Sequence, residues 1–334
     1  MKFKKIFITG GAGYCGSLLV PNLLDKGYEV TVYDSMFFGN NFFPKNNNLK
    51  LIKGDIRDAN FLKENCKAHD VFISLACISN DSSFALNENL STSINMDAFE
   101  PMVLAAKNNG IKRFIYASSS SVYGVSEQPD VKEDHPLVPL TLYNKYKGLC
   151  EPLLFKHTDD NFEGVIFRPA TVCGYAPRLR LDLSVNILTN HAITNNKILV
   201  FGGSQLRPNL HVQDYCNTVE LLINADSNRI SNQIFNVGYE NLSIMDIAEK
   251  VKKVVLEQFP EKTEINIETS PTDDLRSYHI NSDKIFDILG FKPSLSVEDA
   301  IKSLCMAFKE NKIKNSMDDD IYFNVKRMQN LKVK

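Results

Sequence analysis

Short apolar runs alternate with amphipathic segments through the first half of the chain. Lys5–Thr9 is an apolar run that stops at glycines, which is typical of a buried strand in a parallel sheet. Comparable runs predict the strands Glu29–Tyr33, Leu49–Lys53, Asp70–Leu75, Arg113–Ala117 and Val165–Phe167. Helical patterns lie between these runs, as in Leu18–Lys26 and Asp97–Asn108. The alternation predicts an α/β fold with a doubly wound parallel sheet that is covered by helices on both faces.

The pattern changes from about Pro169. Helical segments at Leu183–Thr194 and Met245–Glu257 separate isolated strands, which predicts a smaller α/β lobe that binds the substrate. We therefore predict a first domain over residues 1–168, rejoined by segments near 207–238. Residues 169–334 then form mainly the second lobe and a C-terminal arm, which we expect to be partly ordered.

Composition excludes several classes of function. The chain has 334 residues with a formal net charge of -2, so no global field favours nucleic acid. No apolar stretch is long enough for a membrane span, and the N-terminal apolar run is too short for a signal peptide. Seven cysteines without a repeating spacing indicate reduced thiols and no metal site. We expect a cytoplasmic protein.

A glycine-rich turn follows the first predicted strand. Gly10, Gly13 and Gly16 have the spacing G-x-x-G-x-x-G between that strand and the next helix. Gly10 permits the tight turn, Gly13 lets a diphosphate approach the backbone, and Gly16 allows close packing of helix and strand. The N–H groups at the start of the helix can then bind the phosphates. In this strand-turn-helix context the motif predicts a dinucleotide site of the Rossmann type, which includes Tyr14 and Cys15.

A carboxylate at the end of the second strand favours one dinucleotide. Asp34 can accept hydrogen bonds from the adenosine ribose hydroxyls and would repel a 2′-phosphate. No Arg or Lys is next to it in the sequence, so NAD is expected in preference to NADP. Asp55 and Ile56, after the third strand, are placed to meet the adenine. The phenylalanine-rich stretch 37–43 either lines the same crevice or packs in the core.

Tyr143 and Lys147 form a Tyr-x-x-x-Lys pair. On a helix the two side chains share one face, and an ammonium group there lowers the pKa of the phenol. Tyr143 is thus a candidate acid/base for a sugar hydroxyl, and Lys147 can also hold the nicotinamide ribose. The strand Phe114–Ala117 leads into four serines, 118–121, whose hydroxyls face the cofactor crevice. The pair indicates catalysis because it follows the glycine turn, Asp34 and the serine-ended strand in this order along the chain.

With these motifs, the chain resembles the extended short-chain dehydrogenase/reductase family, and within it the NAD-dependent epimerase/dehydratase group. The resemblance covers nearly the whole chain, and it implies NAD as cofactor and a nucleotide-diphosphate sugar as substrate. Its further motifs are Gly54–Asp58, Leu75–Ala76, Asn95, Phe167–Pro169, Arg207–Asp214 and Phe235–Gly238. It also implies a homodimer, because relatives pair helices of the sheet domain into a four-helix bundle.

The resemblance assigns roles to individual residues. It implies Ser119, Tyr143 and Lys147 as the catalytic residues. It implies that the cofactor is bound by the turn residues, by Tyr143 and Lys147, and by Asp34, Asp55, Ile56, Leu75, Ala76, Asn95 and Ser118. It implies that the nucleotide sugar is bound by Ser119, Ser120, Asn186, Arg207 and Arg276. Arg207 matches an arginine that binds the nucleotide diphosphate in relatives.

Positions where this chain differs from the motifs of related enzymes indicate which reactions are disfavoured. The 4,6-dehydratases carry Asp and Glu directly after the catalytic Ser or Thr, where this chain has Ser120 and Ser121. The decarboxylases usually carry Glu at the position of Ser121. Both reactions are therefore disfavoured. The stretch 177–186 resembles a branch that modifies bacterial surface sugars, including 4-epimerases and 4-dehydrogenases.

Three functions remain open. The first is a nucleotide-sugar 4-epimerase, in which transient oxidation at C4 is followed by reduction on the other face. The second is a net 4-dehydrogenase, or a 4-keto reductase in reverse, with the same catalytic residues. The third is a dinucleotide-sensing protein without chemistry, which the presence of both Tyr143 and Lys147 disfavours.

Overall fold

The computed structural model describes residues 2–126, 128–272 and 277–332. A parallel sheet of seven strands forms its centre, in the order β10-β6-β5-β4-β1-β2-β3. Its strands are β1 (Lys5–Thr9), β2 (Glu29–Asp34), β3 (Leu49–Lys53), β4 (Val71–Ser74), β5 (Arg113–Ala117), β6 (Glu163–Pro169) and β10 (Gln233–Val237). The predicted doubly wound α/β sheet is confirmed.

Strand order explains where a crevice opens. From β1 the chain moves to β2 and β3 on one side of the sheet and then to β4, β5 and β6 on the other. The order therefore reverses between β1 and β4, and ligands of such sheets bind at that point, outside the carboxyl ends of the strands. All four residues of β4 and the last four of β1 are buried, as expected for strands with a neighbour on each side.

Helices cover both faces of this sheet. In the described residues they are α1 (Tyr14–Asp25), α2 (Ala59–Asn65), α3 (Asp81–Ala85), α4 (Glu88–Thr92), α5 (Phe99–Asn108), α6 (Leu142–Phe155), α7 (Ser184–Asn195), α8 (Val212–Asn224), α9 (Ser227–Ile230), α10 (Ile244–Gln258), α11 (Asp283–Leu289), α12 (Val297–Lys309) and α13 (Asn324–Leu331). Residues of α1, α8 and α11 form the apolar core on one face, and residues of α2, α5 and α6 form it on the other. Among the described residues, no helix combines the length and apolarity that crossing a bilayer requires.

Two small sheets build the rest of the molecule. One has the order β11-β9-β7, and the other pairs β12 with β8. Their strands are β7 (Thr171–Cys173), β8 (Lys197–Phe201), β9 (Leu206–His211), β11 (Glu240–Ser243) and β12 (Asn266–Ser270). A separate apolar core lies among α7, α10 and α12. Because β10 returns to the large sheet between β9 and β11, the two parts share the chain between residues 206 and 243.

Two local features differ from the sequence expectation. The first helix begins at Tyr14, directly after the glycine turn, instead of at Leu18, and Pro21 lies inside it. A single π-helical turn, Ser93–Asp97, precedes α5 where the sequence predicted a regular helix start. The early start of α1 matters for binding, because it brings the free N–H groups of the helix to the glycine turn.

Candidate active site

A cavity of about 630 Å³ opens at the reversal point of the sheet. One part is lined by the glycine turn and by residues after β2 and β3, such as Asp34 and Asp55. Its middle part is lined by the serines after β5 and by Tyr143 and Lys147. Arg207 and several residues of the segment 178–191 line the remainder. This volume is within the usual range of ligand-binding pockets.

The glycine turn has the geometry that a dinucleotide needs. Gly10 has a φ of 73°, and an added Cβ would lie 2.5 Å from the backbone nitrogen of Ala76. At Gly16 an added Cβ would lie 2.2 Å from the carbonyl oxygen of Gly11, so the helix start packs on the turn itself. Gly13 meets only the carbonyl oxygen of Gly10, at 3.1 Å, and otherwise faces open space. This gap is where a diphosphate can approach the backbone.

Asp34 and Asp55 both line the cavity, with different surroundings. Burial raises the pKa of Asp34, whereas the backbone N–H groups of Met36 and Ala12, at 2.8 and 3.0 Å, hold the rise back. Burial also acts to raise the pKa of Asp55, but hydrogen bonds from Arg57 outweigh it and lower that pKa. Asp34 is the more enclosed carboxylate, as expected for a residue that binds a ribose.

Tyr143 is in the first turn of α6, and a cap residue fixes that turn. The hydroxyl oxygen of Thr141 accepts a hydrogen bond from the Asn144 N–H and donates one to Asp81, at 2.5 Å. Lys147 lies one turn later, buried, and its ammonium group donates to the carbonyl oxygen of Ala117 at 2.7 Å. The hydroxyl of Tyr143 has no hydrogen-bond partner among the described residues, so it is available to a substrate hydroxyl.

A chain of hydrogen bonds fixes the proton of Ser119. The hydroxyl of Ser121 donates to the side-chain oxygen of Asn144 at 2.6 Å. Since that oxygen can only accept, the 2.7 Å contact between Ser119 and Ser121 must be donated by Ser119. The Ser119 oxygen also accepts from the Ser121 N–H at 3.2 Å, and rotation about its C–O bond can redirect its proton to a substrate oxygen. Asn144 was not singled out in the sequence, although its place beside Tyr143 could have indicated it.

The charge around Tyr143 differs from the sequence expectation. Burial raises the pKa of Tyr143 well above its usual value, and the positive charge of Arg180 opposes this rise. Lys147 is engaged with Ala117 and lies over the ring of Tyr116, with its nitrogen 5.1 Å from the ring centre. Burial therefore outweighs the cations around Tyr143, and the lowering of its pKa by Lys147 stays a prediction.

Two predicted binding residues, Asn95 and Asn186, do not line the cavity. Asn95 exchanges hydrogen bonds with the backbone of Ile78, at 2.8 and 2.9 Å. Asn186 is fully buried and is bound to Gly174, Arg180 and Tyr14. Both amides support loops that line the cavity, because their polar atoms are already satisfied. Arg276 lies outside the described residues.

The other predicted residues do line the cavity, but with different freedom. They are Gly10, Gly13, Tyr14, Cys15, Gly16, Asp34, Asp55, Ile56, Leu75, Ala76, Ser118, Ser119, Ser120, Tyr143, Lys147 and Arg207. The hydroxyl of Ser118 donates to Glu151 at 2.7 Å, so this side chain is structural. Phe37 and Phe38 line the cavity, whereas Phe42 and Phe43 pack against the core, so both interpretations of the phenylalanine-rich stretch apply in part.

Sequence reasoning missed two arginines and an asparagine. Arg178 and Arg180 are buried in the cavity wall, and Asn324 reaches it from the C-terminal arm. Arg178 comes close enough to Asp34 for each charge to act on the pKa of the other group. The expectation that no cation is beside Asp34 is therefore correct only along the sequence. In the folded protein Arg178, which is 144 positions later in the chain, lies near this carboxylate.

Comparison with known proteins gives one consistent family. The chain is 27% identical over 326 residues to UDP-N-acetyl-alpha-D-glucosaminuronate decarboxylase of Bacillus cytotoxicus, covering 92% of this chain and 98% of that protein. Its fold is similar to that of UDP-glucose 4-epimerase from Thermotoga maritima, with a TM-score of 0.81, 21% identity, and coverage of 92% and 99%. It is equally similar, at a TM-score of 0.81, 21% identity and coverage of 92% and 98%, to dTDP-glucose 4,6-dehydratase from Streptomyces venezuelae with NAD bound.

These proteins carry out different reactions on nucleotide sugars, so they indicate the general chemistry and leave the reaction open. The predicted extended short-chain dehydrogenase/reductase family is confirmed, and so is NAD as the cofactor of that family. The family description that matches residues 6–238 is that of the NAD dependent epimerase/dehydratase family. The chain belongs to this family of nucleotide-sugar enzymes.

Proposed function

We propose that this protein is a nucleotide-sugar 4-epimerase, which supplies an activated sugar for the synthesis of a bacterial-type surface polysaccharide. The observation that carries the proposal is the lining of the cavity beside Tyr143. It offers a proton acceptor and hydroxyl groups, and Ser120 and Ser121 stand where a dehydratase carries Asp and Glu. Such a lining supports oxidation and reduction at one carbon.

The two serines cannot replace the missing acids. Ser121 is held between Ser119 and Asn144, and the Ser120 hydroxyl lies 3.5 Å from that of Tyr278. An aliphatic hydroxyl is too weak an acid to protonate a leaving hydroxide or to assist its departure at neutral pH. The elimination of water therefore lacks an acid at this position. The glutamate that decarboxylases usually carry at the position of Ser121 is also absent.

Each residue of the site has a separate role in the proposed 4-epimerase reaction. NAD, when bound, supplies reversible hydride acceptance at the sugar C4. Tyr143 takes the proton of the 4-hydroxyl, and Ser119 holds the same oxygen by a hydrogen bond. Arg207 holds the substrate diphosphate, so that the sugar can turn while its nucleotide stays fixed. Once the 4-keto sugar has turned, C4 would take the hydride back on its other face, Tyr143 returns the proton to the C4 oxygen, and net redox is zero.

A product assay tests this reaction. Purified protein is incubated with UDP-, GDP-, dTDP- and CDP-activated hexoses, and each sugar is followed by NMR. We expect interconversion of two C4 epimers by the wild type, and loss of at least about 100-fold in kcat for Tyr143→Phe, because general acid/base groups contribute this much or more. Lys145→Ala, an exposed change on the same helix, is the control and should keep full activity.

The alternative of a net 4-dehydrogenase gives a different result in the same assay. Accumulation of a 4-keto sugar together with NADH would overturn the epimerase proposal. Full activity of Tyr143→Phe would overturn the assignment of the acid/base.

We also propose that the active form is a homodimer that pairs α5 and α6 with their copies. Both helices lie on one face of the large sheet and carry exposed apolar side chains, Leu104 and Leu149. Pairing four helices would remove these side chains from water.

A further inference from the structure

The C-terminal arm, residues 315–332, lies against the cofactor part of the cavity. Tyr322 accepts a backbone hydrogen bond from Leu181 at 2.9 Å, and the Asn324 N–H donates to the Asp182 carboxylate at 3.0 Å. The Arg327 side chain donates to the carbonyl oxygen of Phe37 at 2.8 Å. The arm thus connects the segment 178–182 with the loop after β2.

Asn324 is the residue of the arm that reaches furthest into the site. It is 6% exposed and lines the cavity. Its side-chain oxygen accepts a hydrogen bond from the Arg178 guanidinium at 2.6 Å, and its side-chain nitrogen donates to the Ser79 hydroxyl at 3.0 Å. Because both ends of the amide are used, its orientation is fixed, and it fixes one edge of Arg178.

Arg178 is a buried cation with an unused donor. It is 4% exposed, lines the cavity, and its Nε has no hydrogen-bond partner in the part of the chain that the structure describes. Its backbone N–H donates to the Ser17 hydroxyl of α1 at 3.0 Å, and its guanidinium lies 3.5 Å from the ring centre of Phe38. No carboxylate of the described residues lies within 4 Å, so this charge is not neutralised by an ion pair.

The charges around Arg178 favour the binding of an anion. Burial lowers the pKa of Arg178, the neighbouring Arg180 lowers it further, and Asp182 and Asp34 offset this only in part. Arg180 itself is paired with Asp182 at 2.9 Å. A buried, undercompensated guanidinium is costly unless a ligand neutralises it. The N-terminus of α1 beside it offers further free N–H groups.

We propose that Arg178 binds the diphosphate of the dinucleotide and that Asn324 is the positioning residue that holds its guanidinium in place. The nearby Phe38 and Asp34 line the part of the cavity where the glycine turn is, and Ser17 is in the first turn of α1, which follows that turn. The substrate diphosphate is expected near Arg207, on β9. The inference concerns cofactor binding alone and is independent of the reaction catalysed.

The binding of NADH and of its fragments tests which part of the dinucleotide Arg178 contacts. Dissociation constants of NADH, ADP, adenosine and UDP are measured by calorimetry for the wild type and Arg178→Met, which keeps an apolar stem. A charge-assisted hydrogen bond predicts a loss of about 10- to 100-fold for NADH and for ADP. Adenosine, which lacks the diphosphate, and UDP should bind to both proteins equally.

The arm is tested by a double-mutant cycle. We expect Asn324→Ala to weaken NADH binding about 10-fold in the wild type and to cause no further loss in Arg178→Met, since Asn324 acts through Arg178. Gln329→Ala, on the exposed side of α13, is the control and should bind NADH like the wild type. Thermal unfolding is recorded for each variant.

Defined outcomes would overturn the proposal. Equal losses for adenosine and ADP would mean that Arg178 does not bind the diphosphate. Loss of UDP binding with NADH binding retained would assign Arg178 to the substrate diphosphate. Additive losses in the cycle would remove Asn324 from the mechanism. If Arg178→Met does not fold, Arg178→Lys takes its place, because lysine keeps the charge but cannot donate two parallel hydrogen bonds to phosphate oxygens. Unchanged binding of NADH by Arg178→Lys would contradict a contact of that kind.

Discussion

At the scale of single residues, the candidate site depends on where buried cations lie. Arg180 lines the cavity and acts on Tyr143, although the two residues are 37 positions apart. Its Nε is paired with Asp182, and one terminal nitrogen donates to the Ser79 hydroxyl at 3.1 Å. The other terminal nitrogen has no hydrogen-bond partner among the residues that the structure describes. Arg180 therefore tunes the proposed acid/base in a way that the Tyr-x-x-x-Lys motif does not reveal.

This arrangement predicts a pH effect of Arg180→Met. Because the cation lowers the pKa of Tyr143, its removal raises that pKa. A base works only when it is deprotonated, so the acidic limb of the pH profile of kcat should move to higher pH, with activity recovered at alkaline pH. The measurement is the initial epimerisation rate across the pH range. Ser79→Ala keeps the charge and should leave the limb in place. A uniform loss of activity at all pH values would contradict the electrostatic role.

At the scale of elements, a buried ion pair joins the helix with Tyr143 to the sheet. Arg168 on β6 makes two contacts with Glu151 on α6, at 2.9 and 2.6 Å, and both side chains are buried. Ser118 at the end of β5 donates to the same carboxylate, and Tyr123 accepts from Arg168 at 2.6 Å. The network holds α6 in the position that places Tyr143 and Lys147 against the serines after β5.

Breaking one partner of this pair should destabilise the protein strongly. We expect Glu151→Gln to lower the free energy of unfolding by about 3 kcal/mol or more, because the Arg168 charge stays buried without a counter-charge. The measurement is urea unfolding followed by circular dichroism. The double variant Glu151→Met with Arg168→Met should lose less than the single variant. The exposed Lys145→Ala is the matched control on α6. Equal stability of Glu151→Gln and wild type would show that the pair is not structural.

At the scale of the whole molecule, the large and small sheets enclose one cavity between them. The catalytic candidates come from the large sheet and α6, whereas Arg207 and segment 178–191 come from the part after β6. The C-terminal arm adds Asn324 and Met328 to the same wall. A site built from such distant segments depends on the complete tertiary structure.

The proposed homodimer gives a prediction at this scale. Leu149→Glu, at an exposed position of α6, should convert the dimer into a monomer, because a charge would have to be buried between the paired helices. The measurement is the molar mass by light scattering after size exclusion. Met306→Glu, at an exposed apolar position on α12 in the second lobe, is the control and should keep the mass. A monomeric wild type would refute the dimer.

The sequence by itself determined the features that depend on neighbours along the chain. The alternation of buried strands and helices predicted the parallel sheet, and β1, β3 and β5 have the predicted bounds. The glycine turn, Asp34, and the order of Ser119, Tyr143 and Lys147 predicted the family, because each of these motifs is local and its chemistry follows from backbone geometry and spacing.

Only the tertiary structure decided the contacts between distant segments. It placed Arg178 near Asp34 and Arg180 near Tyr143, and it satisfied the Asn186 amide within the protein. It also brought Asn324 from the end of the chain to the cofactor wall. Long-range electrostatics and the pairing of buried polar groups depend on packing, and no periodicity in the sequence encodes which buried group meets which.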